Sequence, residues 1–281
     1  MRYWFLSVVC LSLLACTGSR PAGVRYSDTL AATYPFVYPA ADSPYLTELR
    51  QRYRLDTVGG GATDDLQTVL ALLNWTHRQW SHNGSNVPSK SDALTILAEA
   101  ATGQQFRCVE YGIVSRDALA SRGYRARVLA LKTAKVETTR QGAGHVLAEV
   151  WLPQYQKWAL IDGQFNVLPL LNDRPLNAVE LRAAWTADEA VQLVDQRGSL
   201  SERRANNYRR FLNDYLYFLD VGFDQRSPAD RSARQLYDQK TGLMLVPLGA
   251  AEPRVFQRKS PIDHLVYTHS AAAFYAAPNA E

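Results

Sequence analysis

Cys108, His145 and Asp162 are residue types that together run acyl-transfer chemistry: a thiol nucleophile, a base to activate it and a carboxylate to orient the base. The sequence holds three cysteines. Cys10 lies inside an apolar N-terminal run, and Cys16 closes the string Leu13-Leu14-Ala15-Cys16. Cys108 is thus left without an intramolecular disulfide partner in a chain expected to be exported, and it is either a packed small hydrophobe or a reactive thiol. Its surroundings favour the second reading.

The elements around these residues would bring them together. The segment from Cys108 to Arg122 reads as a helix closed by Gly123, so the thiol sits at a helix start, where the positive end of the helix favours a thiolate. Three strand-like runs come next, Arg125 to Leu131, His145 to Leu152 and Lys157 to Asp162, with a polar, mobile-looking loop from Thr133 to Gly144 after the first. In the second run Val146, Ala148, Val150 and Leu152 alternate with His145, Leu147, Glu149 and Trp151. Pro153 to Gln156 would close a hairpin between the second and third runs. If His145 opposes Asp162, the turn centres between Pro153 and Gln154, inside that connection. Base and carboxylate are therefore expected side by side, within one residue of register.

Upstream, Leu66, Val69, Leu70, Leu73 and Trp80 lie on one helical stripe that begins at Asp64-Asp65, and His82-Asn83-Gly84-Ser85 breaks it. A second helix is expected from Asp92 to Ala101. Downstream, Arg203 to Leu219 reads as a long aromatic-rich helix, with short strands at Gly242–Pro247 and His264–His269.

The strings Gly103-Gln104-Gln105-Phe106-Arg107-Cys108, Gly123-Tyr124-Arg125-Ala126-Arg127-Val128, His145-Val146-Leu147-Ala148-Glu149-Val150-Trp151 and Lys157-Trp158-Ala159-Leu160-Ile161-Asp162 resemble the transglutaminase-like superfamily. The resemblance runs from about Leu66 to Asn166. It implies an α+β fold with a papain-like core, N-terminal helices packed on an antiparallel sheet, and here a mixed helical and strand C-terminal extension. It also implies Cys108 as nucleophile, His145 as general base and then acid, and Asp162 as its orienter. Leu147 stands where many members carry an aromatic residue, and Gly163-Gln164 comes after Asp162 in place of the common Pro-Thr. Gln104 and Gln105 are candidates for an oxyanion donor beside the Cys108 amide, although both could equally be surface residues.

Other chemistries find less support. His77 and His82, like His264 and His269, are five residues apart, which does not place two ligands on one helix face, and no cysteine cluster joins them; no metal and no cofactor is expected. The formal net charge is only +4, with arginines scattered, so nucleic acid is not an expected partner. Arg2 followed by the short apolar run Phe5–Leu14 reads as a signal peptide over residues 1–15, and Cys16 as the lipid-modified first residue of a bacterial lipoprotein of the cell envelope. Residues 16–45 are then a spacer, 46–172 the catalytic core and 173–281 the extension. The membrane would be met through the lipid alone, and the substrate would be a peptide, protein or cell-wall amide. The expected activity is amide hydrolysis or acyl transfer through a thioester, with protein crosslinking by transamidation as the runner-up. The rival of another class is a non-catalytic peptide- or glycan-binding module, whose expected mark, loss of a triad member, is absent.

Overall fold

The computed structural model describes residues 23–62 and 64–278. The expected signal segment 1–15 and Cys16 lie outside the described residues. Helix α1 (Pro44–Arg52) is capped by the Ser43 hydroxyl, and α2 (Asp65–His77) and α3 (Ala93–Ala100) by the side chains of Asp64 and Asp92, each accepting from an amide of the first turn. Next comes α4 (Cys108–Ser121), at whose start Glu110 accepts the Arg107 amide at 3.0 Å and pairs with the Arg107 guanidinium at 2.6 Å. Twelve of its fourteen residues are buried, which makes it the central helix.

Strands β1 (Ala126–Lys132), β2 (Gly144–Leu152) and β3 (Lys157–Ile161) form an antiparallel meander. Gly112 explains how tightly α4 lies on β2: a Cβ there would stand 2.9 Å from the Leu147 carbonyl oxygen. After β3 come β4 (Leu168–Leu171), β5 (Arg174–Pro175), α5 (Ala178–Thr186), β6 (Gln192–Asp195) and β7 (Gly198–Ser199). The four short strands make a separate sheet in the order β5-β4-β6-β7. The chain then forms α6 (Glu202–Leu212), β8 (Phe218–Gly222), β9 (Gly242–Leu245), the small hairpin β10 (Val255–Phe256) and β11 (Ser260–Pro261), β12 (Leu265–Thr268) and α7 (Ala271–Phe274).

The main sheet has the order β12-β9-β8-β1-β2-β3, so three strands from beyond residue 172 continue the sheet of the core. One face packs on α1–α4 through Ala148, Val150, Ala159 and Ile161. The other packs on α5, α6 and α7 through Leu129, Leu131, Leu147 and Leu160. Mixed helix and antiparallel-dominated sheet is the α+β class expected. No helix among the described residues is long and apolar enough to cross a membrane.

The structure differs from the sequence reading in four places. The run Arg203–Leu219 is not one helix: α6 stops at Leu212, one 3₁₀ turn comes next at Asn213–Tyr215, and the rest enters the sheet as β8, where Leu129–Leu131 of β1 supply its partners. The loop 133–144 is pinned rather than loose, since Gln257 donates its amide to Val136 and accepts the Ala143 amide, and Glu137 accepts the amides of Arg254 and Val255. Residues 23–43, read as part of a spacer, run along the fold: Ser27 bridges to Ser270, Val37 bridges to Asp224, and Tyr34 and Phe36 stack on Phe223. The fourth difference, the β2–β3 register, bears directly on the site.

Candidate active site

Cys108 stands at the first position of α4, partly exposed. The first amides of a helix have no intrahelical acceptor, so the Cys108 N–H is available to an oxygen held against the thiol. His145 is the second residue of β2 and is 2% exposed; Asp162 comes directly after the last residue of β3 and is fully buried. The observed pairing places Ala148 opposite Ile161, and the four-residue connection is centred between Gln154 and Tyr155. His145 and Asp162 are therefore diagonal neighbours, two residues from direct opposition, a larger offset than expected. The connection is one 3₁₀ turn, Pro153–Tyr155, followed by Gln156 in the left-handed region at φ 52°, and this geometry sets the offset. An even offset keeps both side chains on one face, and a diagonal pair remains within reach of long side chains.

The two meet: His145 Nε2 lies 2.8 Å from Asp162 Oδ2. An ionised carboxylate only accepts, so Nε2 carries the proton and Nδ1 of a neutral ring is free to act as base. The thiol of Cys108 lies within electrostatic reach of the ring and adds to its hold on the proton. Burial works against the charged imidazolium, yet the Asp162 charge and hydrogen bond, aided by Cys108, outweigh it and push His145 up to about 9. Asp162 is itself held from both sides. Its Oδ1 accepts the amides of Gln164 at 3.0 Å and Phe165 at 3.2 Å, and Oδ2 also accepts the Tyr208 hydroxyl at 3.1 Å. Gly163, where the resemblance leads one to expect proline, is packed on α4: a Cβ there would stand 2.8 Å from Ser115 Oγ.

The C-terminal extension, together with Phe165 of the core, supplies a second group of contacts. Phe211 from α6 meets the His145 ring edge to face at 5.1 Å, and Phe165 and Tyr215 approach it at 6.0 Å each. This aromatic wall excludes water from one side of the imidazole. Sequence reasoning missed Tyr208, Phe211 and Tyr215 as site residues. Tyr208 and Phe211, three residues apart on α6, share a helical face, but nothing in the sequence turns that face toward His145. Tyr208→Phe is expected to lower unfolding free energy by about 1–3 kcal/mol, the cost of leaving a buried acceptor short of one donor. A urea titration at neutral pH measures it, and turnover should fall far less than on altering Asp162.

The remaining candidates are placed as follows. Gln104 and Gln105 are exposed on the segment leading into α4. His77 Nδ1 lies 3.1 Å from the Gly163 carbonyl, and His269 Nδ1 lies 2.9 Å from that of Val246. His82 is largely exposed but within electrostatic reach of His145 and Asp162; the partial covering of its ring, and then the His145 charge, lower its proton affinity.

Residues 53–163 match the family model of the transglutaminase-like superfamily, a span that contains all three members of the set. Two solved structures are similar in fold over part of the chain. One is a candidate cysteine protease from Cytophaga hutchinsonii, at 15% identity and TM-score 0.35, over 43% of this chain and 39% of that one. The other is described as a TGase, at 18% identity and TM-score 0.32, over 42% of this chain and 31% of that one. This chain thus spans well under half the length of either. No curated protein matches it.

Proposed function

We propose, from a transglutaminase-like segment at residues 53–163, that this protein is a thiol-dependent hydrolase of amide or peptide bonds. The observation that carries the reading is the buried 2.8 Å contact between His145 Nε2 and Asp162, which leaves Nδ1 for Cys108. In the proposed cycle Cys108 Sγ attacks the carbonyl carbon and its proton passes to His145. The oxyanion meets the Cys108 amide. His145 then protonates the leaving nitrogen, the C–N bond breaks and a thioester remains. Water, deprotonated by His145, attacks the thioester and releases a carboxylate and the free thiol. If an amine enters in place of water, the same cycle is transamidation. Peptide, protein or cell-wall amides are the substrate class this chemistry accepts.

The test is incubation of the full chain with a peptide library, alone and with an added primary amine, beside Cys108→Ala. New carboxyl termini by mass spectrometry, lost in Cys108→Ala, support hydrolysis. Amine adducts in their place would make transamidation the function. Unchanged peptides, with no Cys108-dependent labelling by a thiol-directed probe, would favour a binding module.

The pH profile is set by the raised His145. The leaving nitrogen takes its proton from the imidazolium, so kcat/KM should fall as pH rises through about 9. Asp162 is the main support of that raised value against burial, so in Asp162→Asn the alkaline limb should move toward lower pH. A limb at the same pH in both proteins would remove the imidazolium from the mechanism.

Lipid attachment at Cys16 belongs to the same proposal, supported by the Leu13-Leu14-Ala15-Cys16 string after a short apolar run. Several acyl chains hold a protein stably where one does not. Cys16→Ser is expected to shift the protein from the membrane to the soluble fraction, with Cys108 labelling intact. An unmodified peptide around Cys16 in wild type, found by mass spectrometry, would mean simple secretion.

A further inference from the structure

A cavity of about 350 Å³ opens beside the thiol, with Cys108 and His145 in its wall. Its other walls are largely apolar: Val146 from β2, Leu265 from β12, and Phe256 and Ile262 from the β10–β11 region. Thus the proposed catalytic pair belongs to the core, with Cys108 at the start of α4 and His145 on β2, but the facing wall comes from the last thirty residues. That wall is firmly held. Gln257 and Glu137 tie the hairpin to loop 133–144, and the Ile262 amide donates to the Arg254 carbonyl at 2.8 Å. Gly144 brings the Phe256 ring close, since a Cβ at 144 would stand 3.1 Å from it.

The charges of this cavity decide what can fill it. Its one ammonium, Lys132, is paired with Asp220 and mostly buried, so no unpaired charge is offered to a ligand along that wall. The two halves of a cleaved amide differ in this respect. The leaving amine becomes a cation by taking the proton of His145, and it would enter apolar walls next to Lys132, with no carboxylate among the lining residues to receive it. The acyl half is neutral while it is bound to Sγ. An apolar side chain on that half would shed its water favourably against these walls.

We propose that this cavity is the acyl-side specificity pocket, and that the substrate is an amide whose carbonyl belongs to a residue with a bulky apolar side chain, of leucine or phenylalanine type. The proposal rests on the thiol-hydrolase reading above. Phe256 and Ile262 are then specificity-determining residues that take no part in bond making.

N-acetyl-aminoacyl chloromethyl ketones bearing leucine, phenylalanine, serine, aspartate or lysine side chains test it, with iodoacetamide as the reference reagent. In each ketone Cys108 Sγ displaces chloride, a C–S bond replaces C–Cl, and the thiol proton goes to His145. Leucine and phenylalanine probes should inactivate the full chain at least about tenfold faster than the polar ones, the discrimination expected of an apolar pocket. Phe256→Ser should erase that preference and leave the iodoacetamide rate unchanged. Ile262→Ala, which enlarges the cavity, should raise the phenylalanine rate relative to leucine. Equal rates for all five ketones, with normal iodoacetamide labelling of Cys108, would overturn the pocket and leave the catalytic reading standing. Selectivity found only for the amine half of peptide substrates would likewise overturn it. A Cys108 that reacts with neither reagent class would remove both readings.

Discussion

Asp162→Asn is expected to fold as the wild type does and to turn over substrate about 10⁴-fold more slowly, the loss seen where a triad carboxylate becomes an amide. The hydrogen bonds explain why. One carboxylate oxygen accepts the amides of Gln164 and Phe165, and asparagine can keep those with its own oxygen. Its NH₂ then faces His145 Nε2, where the carboxylate accepted at 2.8 Å. A donor at that position selects the ring with Nε2 unprotonated and Nδ1 carrying hydrogen. That tautomer cannot take a proton from Cys108, and the imidazolium loses its counter-charge. The Tyr208 hydroxyl can turn from donating to accepting, so the buried contacts stay satisfied. Steady-state kcat beside circular dichroism separates the two effects. A variant that unfolds where wild type is stable would make Asp162 a structural residue.

The candidate set was legible because its determinants are local. The helix start at Cys108 is marked by the apolar pattern running from it to Gly123, and strand alternation puts His145 and Asp162 on one face whatever even register the hairpin adopts. The offset itself was not legible, because it depends on a 3₁₀ turn and on Gln156 adopting a positive φ, where neither glycine nor asparagine announces it. Tyr208 and Phe211 were out of reach for another reason. They lie 46 residues beyond their partner Asp162 and 66 beyond His145, and only the packing of α6 on the sheet brings them there. Residues 23–43 misled by composition. A segment rich in serine, proline and tyrosine reads as a spacer, yet its aromatic rings are what it packs with, and its backbone bonds come from segments some two hundred residues away.

Alternation in β2 also hid a charge. Glu149 shares the face of His145 and Leu147, and a half-solvated sheet would leave it in water. In this fold the extension covers that face, and Glu149 is fully buried against Arg127, its cross-strand neighbour. The guanidinium donates to Glu149 through Nη2 at 2.6 Å and Nε at 2.9 Å, and to the Phe274 carbonyl through Nη1 at 2.9 Å. It lies over Trp158 at 4.2 Å and over the Phe274 and Tyr275 rings at 4.9 Å each. The second oxygen of Glu149 accepts the Tyr275 hydroxyl at 3.0 Å and the Ala178 amide at 3.3 Å. The pair therefore ties β1 and β2 to α5 and α7, and through them the strand that carries His145 to the extension.

Glu149→Ala should cost about 3–5 kcal/mol, because it strands a buried guanidinium among aromatic rings. Arg127→Met together with Glu149→Leu should recover much of that loss, since an apolar pair of similar volume removes the uncompensated charge. Urea unfolding of the three proteins, monitored by tryptophan fluorescence and by Cys108 alkylation, measures both claims. In Glu149→Ala the two probes should report one transition at lower denaturant, as expected if core and extension share this sheet and unfold together. Equal stability of the single and double variants would mean that the pair adds only volume at that point. An alkylation transition that precedes the fluorescence change would mean that α4 opens at its thiol end before the sheet lets go of the extension.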